Sequence, residues 1–598
     1  MVSDITIVFA IVAAIIALFI WDRLPVIAVC VGCALALWAT QVLTLNQSLA
    51  GFGDPATIFV ASLFVVSAGL DKTGVTTWAG QVLIRNAGDS RARLIVLIML
   101  ACGLLSALIS VNGAVAALLP VVVVMAVQLG RTPSKILMPL VFGAHAGSML
   151  ALTGTPVNVL VLEASLDAGA GGFGYFEFAL VGVPHVAGCV LIAVLLGERL
   201  LPERDSRSLP PDLSRHARTL VEQFRLTGGV HRLKVREGSP LVGTPRRALD
   251  FSDRPNVSLM RREAESHPET IAAGDVLLLQ GAGDAIAAIA GELRLSPQEE
   301  LGPAEVEASL INREFGLAEV MIPPRSPLIG ARVFPGMVTP GGDLVVLGLQ
   351  RQGRDIHVGC DLGAGDTLLL QGSWNALGER LGPADVLVVD SPELVRRQAI
   401  PMGAGAKQML LVLAAMVLML ATGLVPAAVA GLLAAGAVLL LGLLSVDEVY
   451  AAVNWTTVIL VGAMLPLSTA IAETGAAELL ADALVAAVGD LGPRALLAGL
   501  FLLTAVLGQV ISNTATALIV IPIAVVAAAE MGISPQPILM AVAVGAAASF
   551  ITPVATPTNL MIMEPAGYRF GDYWKFGLPM MIWFAVVAVG LVPVIWPF

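Results

Sequence analysis

Ile511-Ser512-Asn513-Thr514-Ala515-Thr516, followed forty residues later by Thr556-Pro557-Thr558-Asn559, sets polar groups inside sequence that is otherwise apolar. A near copy lies in the first half: Val111-Asn112-Gly113-Ala114, then Gly154-Thr155-Pro156-Val157-Asn158. Asn112 precedes Asn158 by 46 residues, and Asn513 precedes Asn559 by the same 46. One shift of 401 residues relates both asparagines, Pro156 with Pro557, Ser148 with Ser549, Gly74 with Gly475, and Glu163 with Glu564. A register held over roughly ninety residues marks a duplicated structural unit. The chain is organised around two related polar breaks.

At 598 residues, 57% hydrophobic and 13% charged, with mean hydropathy +0.86, the composition is far from that of a soluble globular protein. Apolar segments of about 17–25 residues recur, the length a helix needs to cross a ~30 Å hydrocarbon core. The chain therefore reads as an α-helical polytopic protein of the lipid bilayer, placed in the inner (cytoplasmic) membrane. The run from Ile5 to Ile20 lacks a basic flank and a small-residue cleavage site, so no cleavable signal peptide is expected. The net charge of −11 sits mostly in the middle of the chain, and no nucleic-acid partner is expected. Cys30 and Cys33 form a C-x-x-C within apolar sequence and read as packing. No HExxH, P-loop or dinucleotide fingerprint is present, which disfavours a structural metal site and transport driven by the chain's own ATP hydrolysis.

In the first half the apolar segments are 5–20, 25–45, 54–71, 92–110, 114–130, 136–163 and 178–200. The second half repeats them at 405–421, 424–445, 455–472, 494–511, 514–530, 537–563 and 574–595. Residues 92–130 and 494–530 each read as a re-entrant hairpin, leaving five crossings per half. An odd number of crossings inverts the second copy relative to the first. Twelve Lys/Arg lie outside 203–400. With the centre of the chain cytoplasmic, eleven of them, including Arg85, fall on the cytoplasmic side and only Arg494 falls outside.

The expected divisions are a first transmembrane repeat at 1–202, a linker at 203–224, two small α+β modules at 225–298 and 299–392, and a second transmembrane repeat at 393–598. The modules announce themselves by a second internal repeat. Gly238-Ser239-Pro240-Leu241-Val242-Gly243 is echoed by Arg325-Ser326-Pro327-Leu328-Ile329-Gly330, and Gly274-Asp275-Val276-Leu277-Leu278-Leu279-Gln280-Gly281 by Gly365-Asp366-Thr367-Leu368-Leu369-Leu370-Gln371-Gly372. Short β runs ended by Gly-Asp turns give each module a small sheet.

Thr-Pro at 155–156 and 556–557 breaks a membrane helix, because proline removes a donor and clashes one turn back. Such a break is tolerated only where protein or a watery cavity covers it. It offers a free helix N-terminus to an anion and free carbonyls to a cation. Two hairpin tips facing two broken helices describe a secondary-transporter site.

On these motifs the chain resembles the divalent anion:sodium symporter family, carriers of sulfate and of di- and tricarboxylates. That family carries Ser-Asn-Thr at each hairpin tip and Thr-Pro in each broken helix. The resemblance covers 1–202 and 400–598, including the Tyr568, Phe570, Asp572, Lys575, Gly577 and Pro579 tail. It implies an elevator mechanism in a homodimer, with 5–45 and 406–446 as the fixed scaffold. It assigns anionic substrate to Asn112, Gly113, Thr155, Pro156, Asn158, Ser512, Asn513, Thr514, Thr556, Pro557 and Asn559. It assigns Na+ to Asn112, Ser512, Asn513, Gly154 and Ala555. The first tip departs from the pattern: Val111-Asn112-Gly113 lacks both hydroxyls, and Ser110 or Ser106 is the candidate replacement. His145, whose counterpart is Ala546, is the candidate for a coupling proton in place of Na+. Glu163 and Glu564 read as helix-end anchors.

The central modules resemble the RCK C-terminal domain, the ligand-binding half of regulators of potassium conductance. That resemblance implies a dimerising, regulatory pair that binds a nucleotide, cyclic dinucleotide or ion, with Arg261, Arg262, Arg351 and Arg354 as candidate phosphate contacts. The expected function is import of a small divalent anion, sulfate or a related oxyanion, coupled to Na+ or H+. The rivals are a dicarboxylate or citrate carrier and an anion sensor that signals without turnover. No nucleophile–base arrangement can be assembled from the motifs, so no enzyme is expected.

Overall fold

A computed structural model describes residues 4–21, 23–76, 78, 90–204, 216–224, 226, 229–245, 257–263, 270–312, 315–339, 343–356, 359–381, 385–389, 405–488 and 491–598. Arg85, residues 205–215 of the expected linker, and the side chains of Arg261 and Arg262 lie outside the described residues. The chain divides into two units, Met1–Pro211 with Gly405–Phe598, and Asp212–Ala404. The expected edges were 202 and 393.

The first unit is helical. Its first half runs α1 (Asp4–Trp21), α2 (Val26–Ala39), α3 (Leu45–Ala50), α4 (Pro55–Lys72), α5 (Arg91–Leu108), α6 (Val111–Gln128), α7 (Leu137–Gly147), α8 (Pro156–Asp167) and α9 (Ala179–Leu200). Among the described residues, seven helical stretches of the unit are long and apolar enough to cross a membrane, and six apolar helices of 10–17 residues accompany them. Helix starts follow local chemistry. Asp54 accepts from the Ala56 N–H at 2.8 Å with Pro55 opening α4, and Gly74 ends that helix region at φ 73°. Every residue of α7 is buried, as befits a helix at the centre of a bundle that is apolar all round except at His145. A Cβ on Gly147 would lie 2.1 Å from the Gly103 Cα, so α5 and α7 touch backbone to backbone.

In the second unit, helix α10 (His216–Gln223) precedes a sheet of β1 (Val230–Val235), β2 (Val257–Glu263), β3 (Val276–Gly281) and β4 (Leu295–Glu300) in the order β2-β3-β1-β4. Helix α11 (Gly283–Glu292) lies between β3 and β4, and α12 (Pro303–Leu310) follows. The second sheet holds β5 (Phe315–Met321), β7 (Leu344–Arg351), β8 (Arg354–Asp355), β10 (Thr367–Ser373) and β11 (Leu387–Val388), in the order β11-β5-β10-β7-β8. A small ribbon, β6 (Arg332–Val333) with β9 (Cys360–Asp361), stands apart, and α13 (Trp374–Arg380) follows β10. If β1, β2, β3 and β4 are matched to β5, β7, β10 and β11, the two strand orders are the same. The quoted motifs carry matching bonds. Ser239 Oγ donates to the Leu293 carbonyl and Ser326 Oγ to that of Asp385, both at 2.6 Å. The Asp275 and Asp366 carboxylates accept from the N–H three residues earlier, at 2.9 and 2.7 Å. One face of the second sheet (Leu317, Leu347, Leu369) joins the core of the first module, and the other packs on Trp374 and Leu377.

Arg351 is not free to meet a phosphate. Its Nε and one terminal nitrogen each donate to Asp366 at 2.7 Å, and the side chain also reaches the Asp361 carbonyl. The guanidinium beside it holds the Asp366 carboxyl below the usual carboxylate range. A depressed folded pKa confers stability above the unfolded value of about 3.9 and loses it as pH falls through the folded value. Arg351→Ala is therefore expected to speed amide exchange in β7 and β10 at neutral pH, by mass spectrometry on the full chain. The difference from wild type should shrink below about pH 4. Equal exchange at neutral pH would contradict the pair's role.

Candidate functional site

The second half of the helical unit runs α14 (Ala406–Thr422), α15 (Ala427–Leu440), α16 (Val446–Ala452), α17 (Trp455–Glu473), α18 (Ala476–Val488), α19 (Pro493–Leu507), α20 (Asn513–Glu530), α21 (Pro535–Ala547), α22 (Pro557–Met561), α23 (Tyr573–Val586) and α24 (Val592–Ile595). Both breaks repeat at the 401-residue spacing. Helix α7 ends, a 3-10 turn spans Leu152–Gly154, and α8 begins; after α21 the turn spans Pro553–Ala555, and α22 begins. Thr155 and Thr556 cap the new helices in extended conformations, at φ −154° and −145°.

Asn158 and Asn559 hold the unwound segments. Asn158 Nδ2 donates to the carbonyls of Ser148 and Ala151 at 3.0 and 2.9 Å. Asn559 Nδ2 donates to those of Ser549 and Thr552 at the same two distances. Helix unwinding leaves such carbonyls without helical partners, and the buried amides bond them, alongside the Gly154 N–H in the case of Ala151. Gly154 belongs to the same turn, since a Cβ there would lie 2.1 Å from the Ser148 carbonyl oxygen. The last helices also correspond: a Cβ on Gly182 or Gly577 would strike the Met149 or Phe550 carbonyl at 2.2 or 2.1 Å.

The hairpin tips keep a different register. Ser110 Oγ accepts from the Gly113 N–H at 3.2 Å, as Ser512 Oγ accepts from the Ala515 N–H at 3.3 Å. The spacing here is 402, as it is for the internal prolines Pro120 and Pro522. Ser110 thus replaces the missing cap, and Asn112 falls at the helical position of Thr514 rather than of Asn513. One residue turns a side chain by about 100° on a helix. Asn112 is exposed at the tip, whereas Asn513 Oδ1 accepts from Ser549 Oγ at 2.7 Å. Ser106 is fully buried and does not share this role.

The tips and breaks enclose a cavity of about 710 Å³. Asn112, Gly154, Thr155, Pro156, Ser512, Asn513, Thr514, Ala555, Thr556 and Pro557 line it. Three expected contacts do not. Asn158 and Asn559 are turned into the protein to bind carbonyls, and Gly113 faces Ile109, Ser110 and Ser67. Glu163 and Glu564 are not part of the wall either. Ser110, the candidate replacement at the first tip, lines it too, and the wall gains residues that were not singled out as contacts: Thr558, and Asn454, Thr456 and Thr457 at the start of α17. The N-terminal residues of α6, α8, α17, α20 and α22 all reach it. Among the described lining residues there is no Asp, Glu, Lys or Arg. His145 is present, its Nε2 3.3 Å from the Thr556 hydroxyl and 3.5 Å from that of Thr558. Helix N-termini and hydroxyls around an uncharged wall favour a bound anion.

The family described as citrate transporter (CitMHS) matches residues 16–545 and 491–598. The uncharacterised transporter YfbS of Escherichia coli (strain K12) is 33% identical over 616 residues, covering 99% of each chain. The probable sodium/sulfate cotransporter 3 of Chlamydomonas reinhardtii is 32% identical over 162 residues, 27% of this chain and 18% of that protein. The crystal structure of the Alcanivorax borkumensis YdaH transporter aligns over 98% of this chain and 99% of its own at 14% identity, with TM-score 0.46.

Proposed function

Because this chain belongs to the citrate transporter family, and is a multi-pass membrane transporter rather than an enzyme, we propose that it is an ion-coupled secondary carrier importing a small divalent anion. The observation that carries this reading is the convergence of five helix N-termini, from both halves, on one cavity without charged side chains. Sulfate or a related oxyanion is the preferred cargo. The sequence similarity to a probable sodium/sulfate cotransporter supports this, as does the clustering of hydroxyl and imidazole groups at one end of the wall. The family's own description favours citrate, but three separated carboxylates call for cationic partners that the described wall does not offer.

The two halves form an inverted repeat, each with five crossings and one re-entrant hairpin, and the shared geometry of the breaks supports it. Alternating access proceeds as an elevator in a homodimer, with 5–45 and 406–446 as the frame. Their exposed leucines, Leu411, Leu424 and Leu440 among them, suit a lipid-facing periphery around the buried α7 and α21. Na+ is held by Asn112, Ser512, Asn513, Gly154 and Ala555. All five line the cavity and offer only oxygen ligands, which suits a hard cation. The second unit is a cytoplasmic pair of RCK C-terminal-like modules that regulates the carrier. A groove of about 440 Å³ beside Arg236 and Arg294 suits a phosphorylated ligand such as a nucleotide or cyclic dinucleotide.

Uptake of radiolabelled sulfate and citrate into proteoliposomes, under imposed Na+ or H+ gradients, tests the reading. Saturable sulfate uptake that needs a gradient and ignores citrate is expected. Citrate entry without sulfate entry would replace the cargo. Binding of either anion without movement would favour a sensor.

A further inference from the structure

Gln509 fastens the second hairpin tip to the second break. It stands in the turn between α19 and α20, 8% exposed, and does not line the cavity. Its Nε2 donates to the Ala505 carbonyl on its own hairpin arm and to the Ala548 carbonyl at the end of α21, both at 2.9 Å. The Ala548 carbonyl also accepts from the Phe550 N–H at 3.1 Å. On the same side chain, Oε1 accepts from the Ile551 N–H at 2.9 Å. The backbone carbonyl of Gln509 accepts from the Thr552 hydroxyl at 2.8 Å, and the Thr552 carbonyl accepts from Asn559. Hairpin tip, unwound segment and α22 are thereby joined in one bonded chain.

The first half is fastened differently. At the 402-residue spacing of the tips, the counterpart of Gln509 is Ala107. The Ala107 carbonyl accepts from the Thr153 hydroxyl at 2.7 Å, so the backbone fastening is kept. A methyl side chain has no donor or acceptor to offer the break. The serines diverge as well. Ser549 Oγ lies 2.7 Å from Asn513 Oδ1 and 3.3 Å from the Ala546 carbonyl, whereas Ser148 Oγ donates within its own helix region to the His145 carbonyl at 2.8 Å. The second tip is therefore tied to its break by side chains without counterparts in the first.

A wall that is already ordered does not have to be ordered when the ligand binds, and affinity gains by that amount. Ser512, Asn513 and Thr514 on the tip, and Thr556 and Thr558 at the break, all line the cavity. We infer that Gln509 is a positioning residue for the bound anion: it holds those two groups of side chains in register before the anion arrives. The inference rests on the transporter reading above. Gln509 touches no cargo and acts through the tip that does.

Gln509→Glu keeps the shape of the side chain and the acceptor for the Ile551 N–H. Protonated, it retains one donor for the two carbonyls; ionised, it retains none. The ionisable residues of α19 and α20 are Arg494 and Glu530 at their far ends, and α21 carries none. Calorimetric titration of the purified full chain with sulfate, from about pH 8 to about pH 4.5, compares this variant with wild type and with Gln509→Met. Each affinity is read as a ratio to wild type at the same pH, which cancels the titration of His145 and of the anion. At pH 8, Gln509→Glu should bind about tenfold or more weakly than wild type, and the ratio should close as the carboxyl takes up its proton. Gln509→Met has no donor at any pH and should stay weak throughout, with an unchanged elution profile. Wild-type affinity in Gln509→Glu at pH 8 would overturn the inference and leave the carrier reading intact. Equal weakness of both variants at every pH would also overturn it, since Gln509 would then act by packing alone. Wild type that binds citrate and not sulfate would overturn the oxyanion reading, and the same ratios are then read with citrate.

Discussion

Thr556→Ala is expected to weaken anion binding by about tenfold to a hundredfold, the worth of roughly 1.5–3 kcal/mol for a hydrogen bond to a charged group. The Thr556 hydroxyl lines the cavity, bonds Thr558, faces His145 and accepts from the Asn559 N–H at 3.3 Å. Asn513→Ala should weaken binding to a similar degree, because Asn513 lines the wall and its Oδ1 orients the Ser549 hydroxyl. Loss of the Thr556 cap costs about 0.5–2 kcal/mol and loss of the single Ser549–Asn513 bond about 0.5–1.5 kcal/mol, so both variants should remain folded. Titration of each purified variant with sulfate, alongside its elution profile, separates the two effects. Wild-type affinity in either variant would remove the cavity wall from the binding site.

The largest stability effect is expected at the residues that do not touch the cavity. Asn158→Leu and Asn559→Leu keep most of the side-chain volume and delete Nδ2. Asn559→Leu removes the side-chain donor from the Ser549 and Thr552 carbonyls, and Asn158→Leu removes it from that of Ser148, while the Ala151 carbonyl still accepts from the Gly154 N–H at 3.1 Å; each stranded carbonyl costs about 1–3 kcal/mol. Against a typical total of about 5–15 kcal/mol, that is a severe loss. Both variants should lower the unfolding midpoint in detergent, Asn559→Leu by more than Asn158→Leu, because the Ala151 carbonyl keeps the Gly154 N–H. An unchanged midpoint in both would show that water satisfies those carbonyls instead.

Much of this was legible in the chain because the breaks are covalent facts: Thr-Pro ends a helix wherever it stands, and a 401-residue spacing survives folding. The repeat of the central modules was legible for the same reason, through Ser-Pro-Leu and Gly-Asp turns. Direction was not. Spacing puts Asn158 and Asn559 in the site, whereas the geometry turns them inward, since only tertiary contacts reveal which carbonyls the break has stranded. The one-residue slip at the first tip is hidden by the matching asparagines, and it is the hydroxyl of Ser110, in its cap, that discloses it. Asn454, Thr456 and Thr457 reach the cavity from far along the chain, and nothing local marks them. His145 was legible as an oddity, but its partners on the other half were not. Arg351 shows the opposite error: an arginine that looked free in sequence is consumed by Asp366.

The most direct measurement is a structure of the full chain with selenate, a heavier isostere of sulfate, located by its anomalous scattering. The account predicts a single peak in the cavity, within hydrogen-bonding distance of Thr556 and of one hairpin tip. A protein that transports selenate but binds it elsewhere, with this cavity empty, would contradict it.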